Sequence, residues 1–178
     1  MIKTISQKEK ETFKALKEEF GYKNVMQSPR VVKVSISSGV GSITDKNRLK
    51  MIAEKLAMIA GQKFSVQLAK KSIAGFKVRE GQISGYRTTL RGEKAKDFLD
   101  KVINIALPRT RDFRGLSKTA ADEMGNYTIG IKENSIFPET ADQDIKDLFG
   151  LSITIVTTAK SKEEVVGFLQ HLGMPFKK

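Results

Sequence analysis

Three segments of the chain alternate between apolar and polar residues, which is the pattern of a strand that is buried on one side only. They are residues 31–37, 64–69 and 85–91. Helices predicted elsewhere in the chain can cover the apolar side, and an antiparallel sheet tolerates water on its other side. The alternation therefore predicts an antiparallel sheet with helices packed on one face and an open polar, basic face.

The alternation also assigns residues to the two faces of this sheet. The residues predicted to face the helices are Val32, Val34, Ile36, Phe64, Val66, Leu68, Tyr86, Thr88 and Leu90. The opposite face combines cations, hydroxyls and one amide, namely Lys33, Ser35, Ser37, Ser65, Gln67, Arg87, Thr89 and Arg91. Cations suit phosphates, whereas hydroxyls and amides suit sugars and base edges. This face is a candidate RNA surface, and a merely solvated sheet face is the alternative.

Helix and strand signals place these strands in a single α+β domain of residues 1–178. Apolar residues at helical spacing predict helices that begin near Ser6, Asp45, Glu93 and Ser161. The helix that begins near Glu93 is predicted to end before Pro108. Ser6 and Ser161 are each followed three residues later by glutamate, which is a capping box. Residues 127–132 and 151–157 add two strands, for about five in all. Residues 109–126 form an irregular segment long enough to suggest a functional loop.

The net positive charge of the chain lies entirely in its first half. Residues 1–92 have 19 Lys and Arg against 7 Asp and Glu, whereas residues 93–178 have 13 of each. Between Gly61 and Gly92, seven cations accompany one acid, Glu80. Residues 70–83 are basic and interrupted by glycine, which predicts a mobile basic loop. Charge concentrated in this way favours a nucleic-acid partner.

The sequence carries no signature of catalysis. It has no cysteine, and its one histidine, His171, falls in the last helix as an ordinary surface or cap residue. Gly39-Val40-Gly41 has neither the third glycine of a dinucleotide site nor the Gly-Lys-Ser/Thr of a P-loop, so we expect a turn or a backbone-amide contact to phosphate. Asp142-Gln143-Asp144 lacks the companion ligands of a calcium loop. We therefore predict no catalytic residue, no metal and no cofactor.

Two other functional classes stay open on the residues alone. An enzyme that modifies RNA could use the same basic face, but it would need a cofactor pocket. A basic protein that coats anionic membranes would need a basic amphipathic helix, whereas here the charge lies in a loop and a strand. No apolar segment approaches the roughly 18 residues of a membrane helix, and the N-terminus lacks the apolar core of a signal peptide. We therefore expect a cytosolic protein with no membrane partner.

Nine short motifs follow one another along nearly the whole chain. They are Phe-Gly-Tyr-Lys-Asn-Val-Met-Gln-Ser-Pro-Arg (20–30), Gly-Val-Gly (39–41), Gly-Gln-Lys (61–63), Lys-Lys-Ser-Ile-Ala-Gly-Phe-Lys-Val-Arg-Glu-Gly (70–81), Thr-Leu-Arg-Gly (89–92), Ile-Ala-Leu-Pro-Arg-Thr-Arg-Asp-Phe-Arg-Gly-Leu (105–116), Gly-Asn-Tyr (125–127), Ile-Phe-Pro-Glu (136–139) and Ile-Val-Thr-Thr-Ala-Lys (155–160). In this order the chain resembles the bacterial form of the large-subunit ribosomal protein five family.

The resemblance implies a protein that binds 5S rRNA and helps to fix it in the central protuberance, beside large-subunit rRNA and other proteins of that region. Carried over position by position, the family's rRNA contacts imply Gln62, Phe76, Thr89 and Arg91. With the polar face predicted above, the full set of rRNA-binding candidates is Lys33, Ser37, Gln62, Phe76, Arg87, Thr89 and Arg91. The cations in this set would neutralise phosphates, while Ser37, Gln62 and Thr89 would fix the register of the RNA.

The resemblance also implies two further contacts on the ribosome. The basic loop would reach the elbow of the peptidyl-site tRNA, with Lys70, Lys71, Ser72, Gly75, Lys77, Arg79 and Gln82 as its tRNA-facing residues. Outer loops, including the segment after Ile136, would help to form a bridge to small-subunit protein thirteen. The candidates in the first of these loops are Arg109, Arg111 and Arg114.

The sequence departs from the family pattern in two places. Ser37 stands where the family commonly has asparagine, and the shorter serine implies that one RNA contact is lost or passed to water. Residues 81–85 read Gly-Gln-Ile-Ser-Gly where an ending Pro-Ile-Gly is frequent. We expect this second change to loosen the tip of the basic loop.

Overall fold

The computed structural model describes residues 4–43, 45–141 and 148–177. Within these ranges the helices are α1 (Ile5–Phe20), α2 (Lys46–Ala60), α3 (Glu93–Lys101) and α4 (Lys162–Leu172), and the strands are β1 (Val31–Gly39), β2 (Ser65–Leu68), β3 (Ile83–Leu90), β4 (Asn126–Ile131) and β5 (Leu151–Thr157). The strands form one antiparallel sheet in the order β2-β3-β1-β5-β4. The predicted α+β class and the predicted order of elements are confirmed.

The first helix begins earlier than the sequence predicted. Thr4, not Ser6, is its N-cap, and Gln7 closes the capping box by accepting a hydrogen bond from the Thr4 amide at 3.2 Å. Two overlapping boxes fit this stretch of sequence, and the upstream one is used. The Ile5 amide at the helix start also donates to the carboxylate of Asp100, at 3.1 and 3.2 Å to its two oxygens. This contact to α3 favours the earlier start.

The last helix begins where the sequence predicted, but its glutamate has a different partner. Ser161 accepts from the Glu164 amide at 3.2 Å, which is half of a capping box. The Glu164 carboxylate accepts instead from the Lys160 amide at 2.7 Å and from the Tyr22 hydroxyl at 2.5 Å. Burial and this carboxylate together raise the pKa of Tyr22 above its ordinary value.

The chain stays helical beyond the end of α3. The helical path continues as a π turn over Val102–Ala106 and a 3-10 turn over Leu107–Arg109. Pro108 occupies an early position in that second turn, where a missing amide hydrogen costs little. The path ends there, so residues 110–115 leave the helix as an irregular loop.

Contacts divide the chain into two compact units. The first comprises Met1–Val34, Leu90–Ile129 and Thr154–Lys178, and the second comprises Ser35–Thr89 and Gly130–Ile153. In the first unit α1 packs against α3 and α4 around fully buried residues such as Leu99 and Phe168. In the second unit α2 buries Ile52 and Leu56, and the Tyr86 hydroxyl of β3 donates to the Leu49 carbonyl at 3.1 Å.

The predicted apolar face is correct for β1 and β3 but wrong for most of β2. Val34, Ile36 and Leu90 are fully buried. By contrast Val66 and Leu68 are 49% and 56% exposed, and Val32 at the start of β1 is 40% exposed. The reason is position, because β2 is the outermost strand and all four of its residues are exposed. Alternation predicts which residues share a face, but not whether that part of the face is covered.

Candidate nucleic-acid interface

Four polar side chains are linked across three neighbouring strands of the second unit. Ser65 on β2 is paired with Arg87 on β3, so both point to the same face of the sheet. The Ser65 hydroxyl accepts from the Gln67 amide at 3.0 Å and donates to the Arg87 carbonyl at 2.8 Å. Arg87 Nε then donates to the Ser35 hydroxyl on β1 at 3.2 Å. We call Gln67, Ser65, Arg87 and Ser35 the polar ladder.

The polar ladder fixes the direction of one exposed cation. Among the described residues, Arg87 uses only Nε for its hydrogen bond, and its side chain is otherwise exposed. A guanidinium held in this way keeps its terminal amino groups free for a bidentate contact to phosphate. Less rotamer entropy is lost on binding, because the side chain is already oriented.

The other strand residues of the predicted rRNA set are at least partly accessible. Ser37 lies two residues beyond Ser35 on β1, on the same face of the strand, and is exposed. Thr89 is half-buried in the second unit. In the first unit, Lys33 is half-buried and Arg91 is exposed just after the end of β3.

Gln62 is held differently from the strand residues. It follows the left-handed Gly61 that ends α2, and its Nε2 donates to the Thr88 hydroxyl at 2.9 Å and to the Thr89 carbonyl at 3.3 Å. Both amide hydrogens therefore have acceptors within the protein. The oxygen Oε1 can only accept, so Gln62 suits a donor such as a ribose hydroxyl or a base amino group, and does not suit a phosphate. Sequence alone missed Thr88 as its partner, because Thr88 is buried on the apolar face.

The basic loop between β2 and β3 has hydrogen bonds of its own. At its base, the Ala69 amide donates to the Gln82 carbonyl at 2.8 Å and the Gly81 amide donates to the Ala69 carbonyl at 3.0 Å. Further out, Ile73 and Val78 exchange backbone hydrogen bonds of 2.9 and 3.3 Å. The basic loop therefore has the backbone pairing of a hairpin. Its mobility stays a prediction.

The tip of this loop presents an aromatic ring that is followed in the sequence by a cation. Residues Ala74–Phe76 form a 3-10 turn, and Lys77 follows in the left-handed region with φ of 53°. Phe76 is 77% exposed and Ile73 is 50% exposed. An exposed ring with neighbouring positive charge suits stacking on an unpaired base.

The predicted tRNA-facing residues divide into two groups. Six of them are exposed, namely Lys70, Lys71, Ser72, Gly75, Lys77 and Arg79, and Gln82 is half-buried. Ser72 and Gln82 stabilise the loop itself, because Ser72 accepts from the Glu80 amide at 2.8 Å and Gln82 accepts from the Arg79 amide at 3.1 Å. These two residues shape the loop whatever it contacts.

A second basic loop begins at Arg109, the last residue of the 3-10 turn that contains Pro108. Arg109, Arg111 and Arg114 are all exposed, and Asp112 between them has φ of 50°. We call residues 109–115 the arginine loop. Its left-handed residue is an aspartate, one of the few non-glycine types that tolerate this conformation.

The remaining sequence candidates have structural roles or lie elsewhere. Gly39-Val40-Gly41 forms a turn in which the Val40 amide donates to the Ser84 carbonyl at 3.0 Å. His171 Nε2 lies 2.9 Å from the Lys8 carbonyl, at the junction of α1 and α4. Asp142-Gln143-Asp144 lies outside the described residues. Within the described part of the chain, no helix is both long and apolar enough to cross a membrane.

Comparison with known proteins identifies the chain's relatives. A family model for the C-terminus of the ribosomal L5 family matches residues 83–176, and one described as ribosomal protein L5 matches residues 24–79. The large ribosomal subunit protein uL5 of Thermoanaerobacter sp. (strain X514) is 52% identical over 171 residues, covering 96% of each chain. The uL5 of Geobacter sulfurreducens is 50% identical over 94% of each chain. That of Ligilactobacillus salivarius is 46% identical over the full length of both.

These matches define a structural protein of the large ribosomal subunit that serves translation. The chain belongs to the ribosomal protein L5 family. The resemblance inferred from the nine motifs is confirmed. The alternative of an RNA-modifying enzyme is wrong, because the family is a non-enzymatic component of the ribosome.

Proposed function

We propose that this protein binds 5S rRNA through the polar face of its sheet and helps to hold it in the large subunit, beside large-subunit rRNA and neighbouring proteins. The observation that carries the proposal is the polar ladder, which presents Arg87 as an oriented, exposed cation on an otherwise hydroxyl-rich surface. Arg87, Lys33 and Arg91 neutralise phosphates. Ser37 and Thr89 contact sugars or base edges, and Gln62 accepts from a ribose hydroxyl or a base amino group.

The basic loop is proposed to contact the peptidyl-site tRNA. Its exposed cations and the exposed ring of Phe76 suit a folded RNA with an unpaired base within reach. Phe76 lies at the loop tip in this structure. Its ring is therefore a candidate contact for the tRNA as well as for 5S rRNA.

The arginine loop is proposed to contribute to a bridge with small-subunit protein thirteen. Three exposed guanidinium groups within six residues support a role in docking to an anionic surface. Arg109, Arg111 and Arg114 are the residues that carry this role.

Binding to 5S rRNA tests the first proposal. The parent, Arg87→Ala and Lys162→Ala are titrated against 5S rRNA and against an unrelated folded RNA at several salt concentrations. Lys162 is an exposed cation on α4 and is not a member of the polar ladder, so its variant removes the same charge from a different element. Loss of a bidentate contact at Arg87 should weaken 5S binding by roughly 1–3 kcal/mol, with little change for Lys162→Ala.

A further variant separates charge from orientation. Ser35→Ala removes the hydroxyl that holds Arg87 Nε but keeps the guanidinium. We expect it to weaken binding less than Arg87→Ala does. Equal, weak and salt-quenched binding of the parent to both RNAs would contradict a dedicated 5S site.

A further inference from the structure

The C-terminal segment pairs with the arginine loop. After α4 ends at Gly173, Met174 is buried and its amide donates to the Leu169 carbonyl at 2.9 Å. The next residues then run parallel to the end of the loop, with Leu116 and Phe176 as bridge partners. The Leu116 amide donates to the Pro175 carbonyl at 2.8 Å, and the Lys177 amide donates to the Leu116 carbonyl at 2.9 Å.

One buried tyrosine joins the two segments. The ring of Tyr127 meets the ring of Phe176 edge to face, with centroids 5.6 Å apart. The hydroxyl of Tyr127 donates to the Ser117 carbonyl at 2.7 Å, immediately after the bridge. Tyr127 is 1% exposed, so both contacts are made from a fixed position on β4.

The backbones of the loop and the C-terminal segment approach too closely for any side chain between them. Gly115 has φ of 93°, and a Cβ there would lie 2.8 Å from the Lys177 nitrogen and from the Phe176 carbonyl carbon. The pairing therefore depends on glycine at this position, for its conformation and for its lack of a side chain.

Residues 111–115 lie between two anchors of different kinds. On one side the Thr110 amide donates to the Leu107 carbonyl at 3.1 Å, within the turn that continues α3. On the other side the anchor is the C-terminal segment. Two of the three exposed arginines, Arg111 and Arg114, lie between these anchors.

We propose that residues 174–177 act as a strap that positions the arginine loop, with Phe176 as the positioning residue, and that the loop offers its docking surface only while the strap is paired. The inference rests on the proposed docking role of this loop and adds the element on which that role depends. The partner that fits the surface is an anionic region of the small subunit, because the exposed guanidinium groups of Arg111 and Arg114 lie on a segment held at both ends by anchors.

Limited trypsin digestion of the full-length protein tests the strap without any partner. The initial rates of cleavage after Arg111 and Arg114 are measured by mass spectrometry, and cleavage after Lys77 and Arg79 in the basic loop serves as the internal reference. We expect Phe176→Ala to raise the rates of cleavage after Arg111 and Arg114 about tenfold relative to the reference, because local opening exposes the arginine loop. Phe176→Tyr keeps an aromatic ring and should cleave like the parent.

Two glycine variants and one lysine variant complete the digestion experiment. Gly115→Ala should raise cleavage of the arginine loop, whereas Gly130→Ala should not, because a Cβ at Gly130 meets nothing within 4 Å. Lys177→Ala keeps the paired backbone, so its arginine loop should be cleaved at the parental rate. If Phe176→Ala does not fold, Phe176→Leu replaces it and should cleave faster than Phe176→Tyr. A folded Phe176 variant that loses the ring yet cleaves at the parental rate would overturn the strap.

Subunit association then separates the strap from the docking role. Large subunits carrying Arg111→Ala/Arg114→Ala or Phe176→Ala are mixed with small subunits, and association is followed by light scattering. Both variants should associate more weakly than the parent, by about threefold or more. Parental association of the arginine variant would overturn the docking role. Weakened association of that variant alone, with parental association for Phe176→Ala, would overturn only the strap.

Discussion

Single side chains on the sheet differ in what they are free to contact. Arg87 has one nitrogen occupied by Ser35 and leaves the others to a ligand, whereas Gln62 has both amide hydrogens occupied and leaves an oxygen. The sequence could predict that these residues are polar and near the face. It could not predict which of their atoms are engaged, because that depends on neighbours 26 to 52 positions away along the chain.

Tyr127 gives a pH dependence at the residue scale. Burial raises its pKa from 10.0 to about 12. A raised pKa means that the unfolded chain loses this proton first, so the stability that depends on the protonated tyrosine falls as pH rises from 10 towards 12. We expect the parent to lose up to about 2 kcal/mol relative to Tyr127→Phe across this window.

Urea unfolding at pH 8, 10 and 11.5 measures this difference. At pH 8 the phenylalanine variant should be less stable by about 1 kcal/mol, because it lacks the hydrogen bond to the Ser117 carbonyl. A stability difference that stays constant from pH 8 to 11.5 would show that the ionisation of Tyr127 is not linked to folding.

Helices and strands were predictable where a local pattern determines them. The alternation in β1 and β3 and the helical spacing in α2 and α4 are local patterns, and the elements lie where they predict. The exposure of Val66 and Leu68 follows from the place of β2 at the edge of the sheet, which no local pattern records. The bridge between Leu116 and Phe176 joins residues 60 positions apart in the chain and has no sequence signal of its own.

The cap of α4 provides a test at the scale of one element. Ser161→Ala removes the acceptor of the Glu164 amide and should lower the free energy of unfolding by about 1 kcal/mol. Ser161→Asp keeps an acceptor at the N-cap and should restore most of that stability. Urea denaturation at neutral pH measures both variants, and an alanine variant as stable as the parent would contradict the capping role.

The distribution of charge can be tested only on the whole molecule. Lys70→Gln/Lys71→Gln removes two exposed cations from the basic half, and Lys160→Gln/Lys162→Gln removes two from the neutral half. The first pair should reduce the slope of log affinity for tRNA, the proposed partner of the basic loop, against log salt by about two, and the second pair should leave it nearly unchanged. Equal reductions would mean that the affinity follows net charge and has no preferred face.

The edge strand β2 affects whether the protein can aggregate before it binds RNA. An outermost strand with exposed Val66 and Leu68 is a template for pairing with a second chain. Here the strand is only four residues long, and Lys63 and Lys70 stand close to its two ends. Short length and flanking lysines are features that discourage such pairing. We therefore expect Lys63 and Lys70 to discourage pairing of this edge with a second chain.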